Sequence, residues 1–488
     1  VDTARASAPT RRFKTRHLSM MALGSAIGAG FFLGTGQAVA QAGPAVLVSY
    51  AIAAGIAVVV MYALAELASA MPSSGSFSTY AESGIGRWAG FTVGWLYWFT
   101  LIMVLGMEST GAAEIVTGWF PEVPQWTVAL VIVVILGGVN LLAAGDFGEV
   151  EAWLAGIKVA AIVMFLLVGV GLVVGLIPGR EEAVGQTLLG HGGFAPRGLA
   201  GVAAGLLAII TSFGGLEIVT IASAEAEDAQ RAMGRAIRSV IWRILVFYVG
   251  SVVLMVCLLP WDSEEMETNP FGSILGMAGV PAVARIMEAV VLVALVSAFS
   301  ANIYASSRMA YSLSARGMGV RWLLGGDAAP SAPPVRPSGD EDGARPSLAA
   351  AVREETATGD IARGRTPRRA VWVSIVLALV SVALNWLLPE TLLGLLINAI
   401  GMTLLIVWVF IIVSQLRLHE SLDRSHALVI RMPGGRAGGR IALVALAGMG
   451  VLMAWSPVAR PQLVSMLALT GVIVVIYVVR QQVALTAR

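Results

Sequence analysis

Charge is scarce in this sequence. Asp, Glu, Lys and Arg make up 13% of 488 residues against 57% hydrophobic ones, and mean hydropathy is +0.82. A soluble chain carries about one quarter charged residues, so most of this chain faces lipid or other buried helices. Cysteine is nearly missing as well: Cys257 alone excludes an internal disulfide and a cysteine metal cluster, and reads as a packing residue. None of the four histidines, His17, His191, His419 and His426, lies in an apolar run, which argues against a histidine proton relay. Period-two alternation is missing, which excludes a membrane barrel. There is no Walker A pattern, HExxH, G-x-S-x-G or CxxC, so neither catalytic residues, a metal nor a cofactor is expected. Basic stretches interleaved with aromatics are absent too, which removes nucleic acid as a partner.

What is present is long apolar runs. A helix needs about 20 apolar residues to cross a bilayer, and about twelve runs qualify, near 19–40, 44–70, 92–119, 126–144, 155–177, 199–224, 239–259, 282–313, 370–388, 390–415, 441–459 and 461–480. The fold class is therefore an all-α integral membrane protein. The first run is too long for a signal peptide and lacks a convincing cleavage context, so it is expected to stay. Lys and Arg concentrate in cytoplasmic loops. An inside N-terminus places Arg11, Arg12, Lys14, Arg16, Arg231, Arg235, Arg238, the Arg-rich 316–369 stretch and Arg417 to Arg440 inside. Only Arg180, Arg197, Arg285 and Arg460, with the acidic 260–267 loop, then fall outside. Both termini are expected in the cytoplasm, with tails at 1–18 and 481–488 of a multi-pass inner-membrane protein. The 326–368 stretch, rich in Pro, Gly, Ser and mixed charge, reads as a disordered cytoplasmic insertion, and 75–86 as a small interfacial helix.

Two runs are interrupted by glycine at corresponding places, 24-GSAIGAGFFLGTG-36 in the first and 211-TSFGGLE-217 in the sixth. Glycine weakens a helix by roughly 1 kcal/mol relative to alanine, so clusters in mid-span invite a break. Each interrupted run opens a five-helix unit, which is the pattern of an inverted-repeat transporter. Close packing through small residues is the alternative.

Ionisable residues within a span cost a few kcal/mol and usually mark a pathway. Glu108 and Glu217 fit that description. Glu66 lies near a cytoplasmic end, where it can reach water, and Glu114 lies near the outer edge. Lys158 stands out because only two of 32 basic residues are lysine. A buried Lys can shed its proton where Arg cannot, so Lys158 reads either as a proton carrier or as a lysine snorkelling from a nearby interface. Ser297, Ser300, Asn302, Ser306 and Ser307 of the eighth run either line a site or hydrogen-bond between helices.

Several long segments resemble a known family: 75-GSFSTYAESGIGRWAGFTVGWLYWF-99, 148-GEVEAWLAGIKV-159, 217-EIVTIASAEAED-228, 239-SVIWRILVFYVGS-251 and 306-SSRMAYSLSARG-317. They resemble the permeases of the amino acid–polyamine–organocation superfamily, most closely the bacterial GABA permeases. The resemblance implies a LeuT-like fold: a first five-helix repeat at 19–177, a second at 199–415, and two further helices at 441–480. It implies a substrate carboxylate on backbone N–H groups at Ser25, Ala26, Ile27, Gly28, Ala29 and Gly30. The substrate amine is implied on carbonyls at Phe213, Gly214, Gly215 and Leu216. It further implies that Lys158 takes the place of a coupling cation, near carbonyls of Gly24 and Ile27 and near Ser297 and Ser300. Glu108 becomes a candidate for amine recognition or proton coupling, and Glu217 for coupling. The first-run glycine pattern looks more like general amino-acid permeases than GABA permeases. Together these imply import of GABA or another small amino acid by proton symport with alternating access, the partners being an amino acid, a proton and the bilayer. An amino acid/amine exchanger and a transporter-like sensor are the rival expectations.

Overall fold

The computed structural model describes residues 27–71, 73, 75–142, 147–179, 183–218, 220, 241–242, 245–279, 281–324, 367–389, 391–425, 428–457 and 459–486. The insertion expected at 326–368 lies almost wholly outside them, and Ser25 and Ala26 lie outside entirely. Among the described residues there is no strand. Eight helices among the described residues are long and apolar enough to cross a membrane, and the longest stretch, Ala29–Ala70, contains two of the sequence runs. Gly43, at φ +65°, and Pro44 turn the chain between those two. Three shorter apolar helices, Gln125–Leu141, Gly198–Ser212 and Leu245–Leu258, account for the remaining runs.

In chain order the helices that position the site begin with α1 (Ala29–Phe32), α2 (Gly34–Ala42), α3 (Val46–Ala70), α4 (Phe77–Gly84) and α5 (Arg87–Trp119). Then come α6 (Gln125–Leu142), α7 (Phe147–Val173), α8 (Val184–Leu189), α9 (Gly198–Ser212) and α10 (Gly250–Leu258). The chain continues through α11 (Glu264–Thr268), α12 (Pro270–Met277), α13 (Pro281–Ala315), α14 (Arg368–Leu387), α15 (Leu392–Arg424), α16 (Gly435–Trp455) and α17 (Arg460–Thr486).

Both glycine-rich runs leave helix where the sequence places the glycines. In the first, Gly28 is extended at φ −137°, ψ −154°, and among the described residues helix begins at Ala29. In the sixth run α9 ends at Ser212, Phe213 to Glu217 form turns, and Gly215 adopts φ +93°, a conformation that favours glycine. With 15 residues, α9 is about 22 Å long, too short for a hydrocarbon core of about 30 Å. Both half-helices therefore stop inside the protein, and α2 packs along α9.

Helix α5 is the central post. It packs against α13, α15, α4, α6 and α14. The short α4 expected from 75–86 is present but buried, with Phe77, Ser78, Thr79, Tyr80 and Ala81 all enclosed. It sits under α5 and α15 instead of on the membrane surface. Its junction with α5 passes through Gly86 at φ +141°. At the periphery, α17 exposes Val464, Leu467, Val472, Val475 and Val479, an apolar face suited to lipid.

Two boundaries differ from the apolar runs and move important residues. α15 continues to Arg424 because Leu418 and Leu422 keep its inner face buried after the run ends. This puts His419 on a membrane-run helix, where the sequence placed no histidine. α7 starts at Phe147, through the polar Gly148–Trp153 stretch. Lys158 therefore lies three turns into a helix, deeper than the apolar run suggests.

Candidate functional site

The two helix breaks meet. The Ser212 hydroxyl donates to the Gly30 carbonyl, and a Cβ on Gly30 would overlap the Thr211 carbonyl. Glycine is required here because two backbones approach one another. Behind the breaks the aromatic rings of Phe31, Tyr248 and Phe213 are continuous: Phe31 and Tyr248 lie 4.4 Å apart, and Phe213 stacks on Tyr248 at 5.3 Å. Such pairs contribute about 0.5–1.5 kcal/mol each beyond their burial, and here they tie one break to the other.

On the open side of the breaks lies a small cavity of about 20 Å³, between Gly28 and Gly30, Thr211, Gly214 and Gly215, one face of α5, Asn302 of α13, and Ile400 and Leu404 of α15. That is room for about one water molecule, so the site is closed in this conformation. The α5 face comprises Tyr97, Thr100, Leu101, Val104, Met107 and Glu108, the three- and four-residue spacing of one helix stripe.

Glu108 reaches across to α1. Both of its carboxylate oxygens accept from the Ala29 N–H, at 3.1 and 3.2 Å. A helix N-terminus carries a partial positive charge and unpaired N–H groups, and Glu108 supplies the anion. The packing around it is tight, since a Cβ on Gly28 would overlap the Glu108 carboxylate and lie 2.9 Å from Ala298. Lys158 is fully enclosed by protein, at 0% exposure, and acts electrostatically on Glu108. Snorkelling to an interface is thereby ruled out for this side chain.

The structure divides the remaining sequence candidates. Gly28, Gly30, Gly214, Gly215 and Glu108 line the cavity, whereas Ile27, Ala29, Phe213 and Leu216 are buried beside it without lining it. Glu217 is also outside the lining. It accepts from Trp408 Nε1 at 2.8 Å and from the Gly215 N–H at 3.1 Å, which pins the broken segment to α15. Ser297 is buried on α13, but the Ser300 hydroxyl accepts from Asn140 Nδ2 of α6 at 3.3 Å. Asn302 does line the cavity, while Ser306 pairs with Ser374 of α14 at 2.9 Å.

Glu66 differs most from its expected setting. It is fully buried, accepting from Gln415 Nε2 at 2.9 Å, His419 Nδ1 at 2.7 Å and the Met432 N–H at 2.8 Å. Glu114 is exposed and lines a separate cavity of about 240 Å³. Sequence reasoning missed Tyr97, Thr100, Leu101 and Val104, whose spacing back from Glu108 was the available signal. It also missed Ile400 and Leu404, which precede Trp408 at four-residue intervals.

The chain has clear relatives among known proteins. The sequence matches the family described as Amino acid permease over residues 17–324 and 346–485. It is 44% identical over 468 residues to the aromatic amino acid transport protein AroP of Corynebacterium glutamicum, covering 95% of this chain and 93% of that one. It is 35% identical over 471 residues to the gamma-aminobutyric acid permease of Bacillus subtilis, covering 96% and 93%. It is 38% identical over 420 residues to the Escherichia coli K12 gamma-aminobutyric acid permease, covering 86% and 82%. Among solved structures it resembles a manganese transporter of Eremococcus coleocola (mutant H236A) with TM-score 0.55 and 14% identity, covering 95% and 92%. That likeness concerns the fold alone and agrees with the LeuT-like architecture. With two half-helices ending at one buried cavity, the chain belongs to the amino acid permease family, multi-pass transporters of amino acids in the cell membrane.

Proposed function

We propose that the chain imports an amino acid together with a proton, and that the site lies at the two helix breaks. The observation that carries this reading is Glu108 on the Ala29 N–H. An amino acid presents a carboxylate and an ammonium, and a half-helix N-terminus beside a half-helix C-terminus offers complementary dipoles for both. The carboxylate belongs at Gly28 to Gly30, where Ser25 and Ala26 precede the break, and the ammonium at the carbonyls around Gly214 and Gly215.

Glu108 already holds the anion position. A charged Glu108 and a substrate carboxylate repel there, so substrate entry is favoured when Glu108 carries a proton. Lys158, enclosed and in electrostatic reach of Glu108, supplies a second group that can hold or release one. Proton and substrate are thus linked through the same few atoms. Ser297 lies buried on the neighbouring α13 as an added hydrogen-bonding group for coupling. Glu217 acts on the break itself, through Trp408 and Gly215.

Alternating access is then a rocking of one group of helices against the other, within a first repeat at 19–177 and a second at 199–415, with both termini in the cytoplasm. Relatives named for aromatic amino acids and for gamma-aminobutyric acid support a substrate among amino acids of those kinds. Uptake of labelled amino acids into proteoliposomes, with and without an inward proton gradient, tests the reading. Gradient-driven accumulation by the wild type, lost in Lys158→Ala, is expected. Accumulation that ignores the gradient, or that requires an amine on the opposite side, contradicts it in favour of exchange.

A further inference from the structure

One side chain at the site has chemistry that the two helix breaks leave unused. Tyr97 lines the cavity from α5 and is 1% exposed. Its hydroxyl is buried and has no hydrogen-bond partner in the protein. Other buried polar atoms among the described residues lack a partner, but only Tyr97 among those residues lines this cavity. Buried polar groups are normally paired, and an unpaired one calls for an explanation. The ring is held edge-on against Phe77 of α4, centroids 4.5 Å apart, so the hydroxyl is carried on a fixed support.

Its position along the helix suggests what it is for. Tyr97 and Glu108 stand eleven residues apart on one stripe of α5, a rise of about 16 Å. Thr100, Leu101 and Val104 lie between them, faced by Ile400 and Leu404. The Thr100 hydroxyl is already donated to the Leu96 carbonyl at 3.0 Å, and the other polar lining side chains, Thr211 and Asn302, donate to the Ile397 and Ala298 carbonyls, which leaves a mainly apolar corridor. One end is the anion position at Ala29, and the other is the free hydroxyl. With about three helical turns between their points of attachment, the two ends suit an amino acid with an extended, mainly apolar side chain ending in a hydrogen-bonding group.

We propose that Tyr97 is a specificity-determining residue whose hydroxyl hydrogen-bonds the tip of a long substrate side chain, such as a phenol, while the carboxylate occupies the α1 end. The inference rests on the permease reading of the same cavity. A site built to bond a substrate hydroxyl discriminates strongly against the analogue that lacks it. Tyrosine and phenylalanine differ by that one group.

The test compares uptake of labelled tyrosine and phenylalanine by the full chain in proteoliposomes, wild type against Tyr97→Phe, with thermal melting of both proteins. The wild type is expected to prefer tyrosine by about tenfold or more, and the variant to bring the ratio near one by raising the KM for tyrosine alone. Melting should be unchanged or raised, because the variant removes a buried hydroxyl that has no partner. An equal tyrosine-to-phenylalanine ratio in the two proteins overturns the proposal. So does wild-type uptake of small amino acids with neither aromatic carried, which leaves the permease reading standing. No uptake of any amino acid overturns that reading itself.

Discussion

Glu108 of α5 and Ala29 at the start of α1 are joined by a carboxylate-to-amide contact at 3.1 Å that closes the amino-terminal end of the half-helix. The side chain caps the half-helix, and in the proposed mechanism it also competes with the substrate carboxylate. Glu108→Gln keeps the shape and removes the charge, so uptake should persist at a reduced rate with a flattened pH profile. Glu108→Ala should reduce uptake by about a hundredfold, in line with loss of a charge-assisted bond of roughly 1.5–3 kcal/mol and of the group proposed to carry the proton. Initial uptake rates across pH check both variants.

Glycine substitutions separate site from scaffold. Gly28→Ala puts a methyl group into Glu108 and Ala298, and uptake should fall at least tenfold. Gly30→Ala drives a methyl into the Thr211 carbonyl, where backbone cannot yield cheaply, and stability should drop by about 1–3 kcal/mol. Gly55→Ala, on α3 with nothing within 4 Å, should be neutral or stabilising by up to about 1 kcal/mol. Melting in detergent and uptake, measured together, sort the three.

Trp408 holds Glu217 through Nε1 at 2.8 Å. Trp408→Phe leaves a buried carboxylate with one fewer donor, and a destabilisation of about 1–3 kcal/mol is expected. Glu217→Gln should retain more stability than Glu217→Ala, since an amide oxygen still accepts from Trp408. The order of the three melting temperatures is the check.

Glu66 gathers Gln415, His419 and the Met432 N–H on one buried carboxylate. Glu66→Ala strands three donors, which predicts a loss of at least about 1–3 kcal/mol. Glu122→Ala, at an exposed position, should leave the melting temperature unchanged. Equal melting of the two variants would show that the Glu66 cluster contributes nothing.

Much of this arrangement was legible in the sequence because membrane burial writes itself in composition. A helix needs a long apolar run to cross lipid, and among the described residues each such run falls mainly on helix, apart from turns and the glycine interruptions. The breaks at Gly28 and Gly215 were legible for a local reason, since clustered glycine destabilises helix wherever it lies. Glu108 stood out because charge is costly in that setting, and Lys158 because only two of the 32 basic residues are lysine. Partner choice was not legible. The reach of Glu66 to His419 spans 353 positions, and helix α15 extends past its apolar run on the strength of one buried face. Tyr97 gave no signal of its own, because an aromatic on an apolar stripe looks like core until its hydroxyl is found unpaired. Ser300 turned toward Asn140 because neighbouring positions on a helix face different partners, and spacing alone does not say which.

Proton movement is the most direct test. Amino acid is added to proteoliposomes of the purified protein that hold a pH-sensitive dye and have no imposed gradient. Coupled import predicts acidification of the interior on addition of the transported amino acid, absent in Lys158→Ala and absent with empty vesicles. Labelled amino acid entering the same vesicles with no change in internal pH would contradict proton symport.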